Sequence, residues 1–280
     1  MTIFPLSTGP FDHMVCLFVL QTSSHAIKSK VTVWLPILLI ILSNDIQLNP
    51  GPCFQQNFLN FMTWNLNSLV KDNFQRVQLL EAHNSMFNYD LISINETCIN
   101  DSVKIPEILL ENYTFVNANN ANNMRHGGGD LFYKNSLPIK VRHDLSFNES
   151  IMVELEFRRR SIFHTVLYRS PAFDQNSPEF GLFMSNFKQL YEKIRVENPL
   201  AIFFSGDFNA HSQSWWPDGN NTHEGRRIDD LLSSLGLHQL INEPTNFEPN
   251  KNPSCLDLIV TDQPNLVLDT GTSLDSLCHH

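Results

Sequence analysis

Four apolar runs in this chain meet the same kind of residue at one end, and that recurrence limits the folds open to it. Residues 58–65 close on Thr63-Trp64-Asn65, and residues 91–95 run into Glu96. Residues 200–205 run into Gly206-Asp207-Phe208-Asn209, and Asp257 sits near the head of 256–260. Short apolar runs bounded by polar residues read as buried strands. Helical patterns lie between them. Phe180, Phe183, Phe187, Leu190 and Ile194 recur at spacings of three and four, the period of a helix with one apolar face. Phe74, Val77, Leu80, Met86 and Phe87 predict a second helix over 74–87, and residues 227–235 a third. Residues 151–157 and 162–168 flank Arg158-Arg159-Arg160 and predict a hairpin. The expected class is α/β: sheets packed as a sandwich with helices outside.

The chain has 280 residues, a formal net charge of −10 and 42% hydrophobic residues, enough for a substantial core. Proteins that hold nucleic acid by charge alone are usually basic, so the acidity argues against an architectural binder. It is compatible with an enzyme that meets phosphate through a cation held between carboxylates. The five cysteines, Cys16, Cys53, Cys98, Cys255 and Cys278, form no C-x-x-C pair. An odd count speaks for a reducing compartment rather than a disulfide framework. An intracellular location, nuclear or cytoplasmic, is therefore expected.

Residues 1–30 show no steady period and predict no element. The apolar run 31–42 contains Pro36 and is shorter than the about 20 residues a membrane-spanning helix needs; neither secretion nor stable membrane association is expected. Asp45-Ile46-Gln47-Leu48-Asn49-Pro50-Gly51-Pro52 follows. It resembles the ribosome-skipping (2A-like) peptides, with Gln47 in place of their Glu. The resemblance implies that the bond between Gly51 and Pro52 is not made; the plain alternative is a Pro-Gly turn. The expected organisation is an unassigned segment 1–30, the apolar stretch and 2A-like peptide at 31–52, and one domain over 53–280.

Loops at strand ends commonly carry sites. The oxygen donors gathered there, with no sulfur and few histidines, suit Mg²⁺ or Mn²⁺ rather than Zn²⁺. Each residue also has a plainer reading. Glu96 suits a helix N-terminus, Asn65 and Asn209 suit turns, and Asp207 suits a solvated loop. Asp257, flanked by Leu256 and Leu258, needs a partner if it is ionised. Asn95-Glu96-Thr97 is an N-x-T triplet, but a glycan there would cover the site, so it reads as chance.

Taken in order from about Phe58 onward, these residues resemble the endonuclease/exonuclease/phosphatase superfamily. The resemblance implies a DNase I-like, four-layered α/β/β/α sandwich of two mixed sheets. It implies a metal held by Glu96, Asn65 and Asp207, and substrate contacts from Asn65, Tyr168 and Asn209. It makes Asp207, Asn209, Tyr168, Asp257 and His280 catalytic, with Asp257 orienting His280. Gly127-Gly128-Gly129, Trp215-Trp216-Pro217-Asp218, Glu224-Gly225-Arg226-Arg227, Ile241-Asn242-Glu243-Pro244-Thr245 and Asp262-Gln263-Pro264 are similar to segments of non-long-terminal-repeat retrotransposon endonucleases. DNA is then the expected substrate, and a reverse transcriptase encoded elsewhere the expected partner.

Two departures stand out. Asp130 follows the glycines where the family has a small apolar residue; buried, it would weaken the fold. The family closes with Ser-Asp-His and an apolar strand, whereas here His279 replaces the Asp and the sequence stops at His280. That implies a missing last strand, an unpaired sheet edge and impaired catalysis. A remnant that keeps the fold with little or no turnover therefore stays open as an alternative, as does a phosphatase of the same superfamily.

Overall fold

The computed structural model describes residues 11–12, 14–19, 58–66, 68–69, 75–99, 110–118, 128–147, 150–174, 176–217, 219–247 and 252–273. The calls on Gly51, Pro52, His279 and His280 lie outside these residues. Two six-stranded mixed sheets face each other. The first contains β2 (Met14–Val19), β3 (Leu59–Asn65), β4 (Leu91–Asn95), β5 (Tyr113–Asn117), β6 (Gly129–Lys134) and β14 (Val267–Ser273), in the order β14-β2-β3-β4-β6-β5. The second contains β7 (Ile139–Val141), β8 (Ile151–Phe157), β9 (Arg160–Tyr168), β10 (Ala201–Asp207), β11 (His238–Gln239) and β13 (Asp257–Thr261), in the order β11-β13-β10-β9-β8-β7. A further short pair joins β1 (Phe11–Asp12) to β12 (Asn246–Phe247).

Helix α1 (Gln75–Phe87) buries Val77 and Leu80 in the cluster formed by Met62, Trp64, Ile92, Ile94 and Phe132 on the outer face of the first sheet. Helices α2 (Pro178–Val196) and α3 (His223–Ser234) pack on the second sheet through Phe180, Phe187, Ile194, Ile228 and Leu232. The result is the four-layered α/β/β/α sandwich that the sequence implied. Helix α2 starts where Ser177 accepts from the Phe180 amide and Pro178 sits in the first turn, and Thr222 caps α3 through the Gly225 amide. These are ordinary N-terminal devices.

Strand alternation sorts each residue by layer. On β3, Leu59 and Phe61 face the second sheet, whereas Met62 and Trp64 face α1. Phe61 meets Phe203 edge-on across the sandwich, so Phe203, Ser205 and Asp207 form the inner row of β10.

Several expectations change. Met86 and Phe87 are 57% and 37% exposed, so the inner face of α1 is Val77, Leu80 and His83 instead. Asp130 takes the buried of its two alternatives. It is fully buried and accepts from Asn117 Nδ2 and the Ala118 amide; burial pushes its carboxyl up to about 7 despite those bonds. Residues 1–30 are not without elements, because Met14–Val19 forms a strand inside the first sheet. It is antiparallel to both β3 and β14. Its partners in the sheet are distant in sequence, and no local pattern announces them. Among the described residues no helix is long and apolar enough to cross a membrane.

Candidate active site

The inner rows of the two sheets converge at one end of the sandwich. Asp207, last on β10, lies opposite Asp257 on β13 and Tyr168 on β9. In the facing sheet, Asn65 and Asn95 are partners at the ends of β3 and β4. Two carboxamides bridge the gap. Asn65 Nδ2 donates to Asp207 Oδ2 at 2.9 Å, and Asn95 Nδ2 donates to the Leu167 carbonyl at 2.7 Å.

The turn after β10 explains its sequence residue by residue. Gly206 has φ +137, and a Cβ there would collide with the Leu167 carbonyl oxygen and stand 2.9 Å from Asn95 Oδ1. Only glycine permits both that backbone and that approach. Phe208 is buried in the core and anchors the turn. Asn209 takes φ +45, a conformation Asn tolerates well. Its amide donates to Asp207 Oδ1 at 2.7 Å, and its Nδ2 donates to Asp207 Oδ2 and to the Arg169 carbonyl, both at 2.9 Å.

Glu96, partly exposed just past β4, also has a positive φ of +54. Its amide donates to the Gly128 carbonyl and its carbonyl accepts from Ser68. A bulky non-glycine residue there is strained, which is common where a side chain is aimed for a task. Burial first, then the charges of Asp257 and Glu96, push Asp207 well above the usual carboxylate range. Asp257 is also raised, by burial and Glu96, against hydrogen bonding from Thr245. Three acidic groups, two of them buried, thus repel one another. Asp257 Oδ1 and Asn95 Oδ1 are buried and have no hydrogen-bond partner among the described residues.

The structure brings together Asn65, Glu96, Tyr168, Asp207, Asn209 and Asp257; His280 lies outside the described residues. Three further residues shape the site. Arg169 is buried and donates to the Phe208, Asn209, Ser170 and Phe173 carbonyls, so it straps the 207–209 turn from behind. Asn95 ties the two sheets together. Thr245 Oγ1 accepts from the amides of Leu256 and Asp257, both at 2.9 Å. Thr245 closes the quoted Asn-Glu-Pro-Thr segment, and Arg169 directly follows Tyr168 in the sequence; the roles of both depend on carbonyls and amides that no local pattern reveals.

Oxygen donors from carboxylates and carboxamides, crowded enough to repel, fit a hard divalent ion. Among the described residues no group of three or more His, Cys, Asp or Glu is disposed to hold a metal. The set that fits is two carboxylates, Glu96 and Asp207, with the Asn65 carboxamide.

Residues 165–280 match the endonuclease-reverse transcriptase family model. The matched segment contains Tyr168, Asp207, Asn209, Asp257 and His280, and excludes Asn65 and Glu96. No curated protein matches the chain. Among solved structures, the endonuclease domain of TRAS1, a telomere-specific non-LTR retrotransposon, is 18% identical, with 71% of this chain and 82% of that one covered and a TM-score of 0.55. The AP endonuclease LMAP from Leishmania major is 14% identical, covering 72% and 78%, with a TM-score of 0.59. An AP endonuclease from Archaeoglobus fulgidus is 14% identical, covering 74% and 87%, with a TM-score of 0.52. The chain has the DNase I-like fold.

Proposed function

We propose that the chain is a divalent-metal-dependent phosphodiesterase that nicks DNA for a non-LTR retrotransposon. One observation carries this reading: Asp207 is held on both oxygens by Asn65 and Asn209 while facing Asp257 and Tyr168 in a single row. A turn that served only as structure would not bury two acids side by side with a third, Glu96, close by, since unpaired buried charge is costly. The likeness to retrotransposon and AP endonucleases in fold, and the family match over 165–280, support the same reading.

In this reading Glu96, Asp207 and Asn65 hold Mg²⁺ or Mn²⁺, which supplies Lewis-acid polarisation of a phosphoryl oxygen. Asn65 and Asn209 fix the Asp207 carboxylate and leave accepting capacity on Oδ1 for the ion or the water. Asp207 then activates the attacking water or handles the leaving group, a role suited to a carboxylate whose affinity for protons is raised above the usual range. Tyr168, in the same row, supplies a phenol to a phosphate oxygen. Asp257 Oδ1 is free among the described residues to accept an imidazole N–H, and His280 is the side chain proposed to supply it. The proposed domain runs from 53 to 280, joined by the strand Met14–Val19. DNA is the proposed substrate, and a separately encoded reverse transcriptase the proposed user of the 3′-hydroxyl.

Supercoiled plasmid incubated with the chain and Mg²⁺ should convert to open circles with 3′-hydroxyl ends, and EDTA should stop the conversion. Intact plasmid under both conditions would favour the second reading, a remnant that keeps the fold without turnover.

A further inference from the structure

The strand Met14–Val19 occupies an unusual place. It lies between β3 and β14, antiparallel to both, with Met14 opposite Trp64 and Val19 opposite Leu59 on one side. On the other side Val19 faces Val267 and Met14 faces Ser273, with one irregularity between Val267 and Asp269. Both flanks of the strand are thus engaged along its length. Between Val19 and Leu59 the chain runs through residues 20–58, whereas antiparallel neighbours joined as a hairpin need only about two to five. The pairing is therefore not imposed by a turn.

Main-chain pairing is also how a separate extended peptide binds an exposed sheet edge. Here the gap offers two edges at once. A long tether adds only an effective concentration on the order of millimolar, so the pairing itself must supply the specificity. The sequence of the strand, Met-Val-Cys-Leu-Phe-Val, is wholly apolar, and Asn49-Pro50-Gly51-Pro52 falls within the intervening stretch. A chain divided at Gly51 would carry β2 on one piece and every strand from β3 to β14 on the other.

We propose that the slot between β3 and β14 is a strand-acceptor site, and that the segment carrying Met14–Val19 fills it without needing covalent continuity with the rest of the chain. Were the chain divided at Gly51, the N-terminal piece would stay on as a bound subunit of the domain. This inference rests on the strand pairing and is independent of the nuclease reading and of whether ribosome skipping occurs.

The test starts from the full chain, folded, with a specific protease site inserted between Ser43 and Asn44 and then cut. At micromolar concentration the two pieces should co-elute on size exclusion at the mass of one of each, and separate completely in denaturant. A labelled synthetic peptide of residues 11–22, in excess, should exchange into the cut protein. Leu17→Pro removes an amide donor opposite Phe61 and Thr270, so in cut protein it should release the N-terminal piece. Release without that substitution, with or without unfolding of the remainder, would overturn the proposal. Co-elution of the Leu17→Pro pieces would show that something other than the strand holds them, and a doubled mass would assign the slot to a second copy. Either result would also overturn it.

Discussion

Two buried arginines, both associated with the second sheet, show how differently charge is handled in two regions of this molecule. Arg142, just after β7, donates to Asp144, Glu154 and Glu197, each at 2.7–3.0 Å. Those hydrogen bonds raise its guanidinium pKa further. Asp144 is lowered to about 2, chiefly by the bond from Arg142. Burial pulls Glu154 upward, but bonds from Ser161 and Arg142 outweigh it and hold it below the usual range. Arg169, just after β9, bonds only to carbonyls, and burial pushes its guanidinium down against the attraction of Asp207. Beside it Asp207 and Asp257 are both raised. In one region the guanidinium hydrogen-bonds the three carboxylates around it; in the other the guanidinium bonds carbonyls and the acids repel one another, a repulsion that an added cation would offset. Structural ion networks resemble the first, and functional sites the second.

The contrast can be broken in several places. Asp207→Asn should leave the fold intact and lower plasmid nicking by about 100-fold or more, as expected for one acid–base group; nicking at the parental rate would remove Asp207 from the mechanism. Arg169→Lys keeps the charge but cannot strap four carbonyls. Roughly 10-fold slower nicking with near-unchanged secondary structure is expected, from a displaced 207–209 turn. Arg142→Met should instead lower the melting temperature by roughly 3–8 °C, the shift for losing one partly screened network. Its nicking rate per folded molecule should stay at the parental value; a slow, stable Arg142→Met protein would erase the distinction between the two regions.

The two regions should also respond oppositely to pH in metal-free buffer. Asp144 and Glu154 have lowered folded values, so their contribution is present above about pH 4 and lost as pH falls through the folded range. Asp207 and Asp257 have raised folded values, so stability falls as pH rises from about 4 towards neutrality. Asp130, raised to about 7, adds to that fall without belonging to the site. Asp130→Asn should therefore gain a few degrees of melting temperature at pH 8 and leave nicking untouched. Equal melting temperatures for parent and variant at pH 8 would mean that Asp130 is ionised at little cost.

Most of the site was legible because its residues sit where buried strands stop. β4, β10 and β13 are buried on both faces and mostly apolar, so their runs break visibly at Glu96, Asp207 and Asp257. The Gly-Asp-x-Asn turn was legible because Gly206 and Asn209 each answer a local backbone demand. Other features were not. β7 has three residues and β11 and β12 two each, too few for any period. Asn95 bridges the sheets only because Gly206 lets it approach, a non-local fact. Met14–Val19 is apolar enough for a strand, yet its neighbours come from Leu59–Asn65 and Val267–Ser273, which no window of sequence contains.

The central claim is that acid is left unneutralised at the site for a divalent ion to balance. The most direct measurement is the melting temperature at pH 8 with and without millimolar Mn²⁺ or Mg²⁺, for the parent and for Asp207→Asn. A clear rise in the parent, retained in Arg142→Met and lost in Asp207→Asn, is the predicted result, because an ion bound only by the folded chain stabilises it by mass action. No rise in the parent, or an equal rise in Asp207→Asn, would contradict the claim.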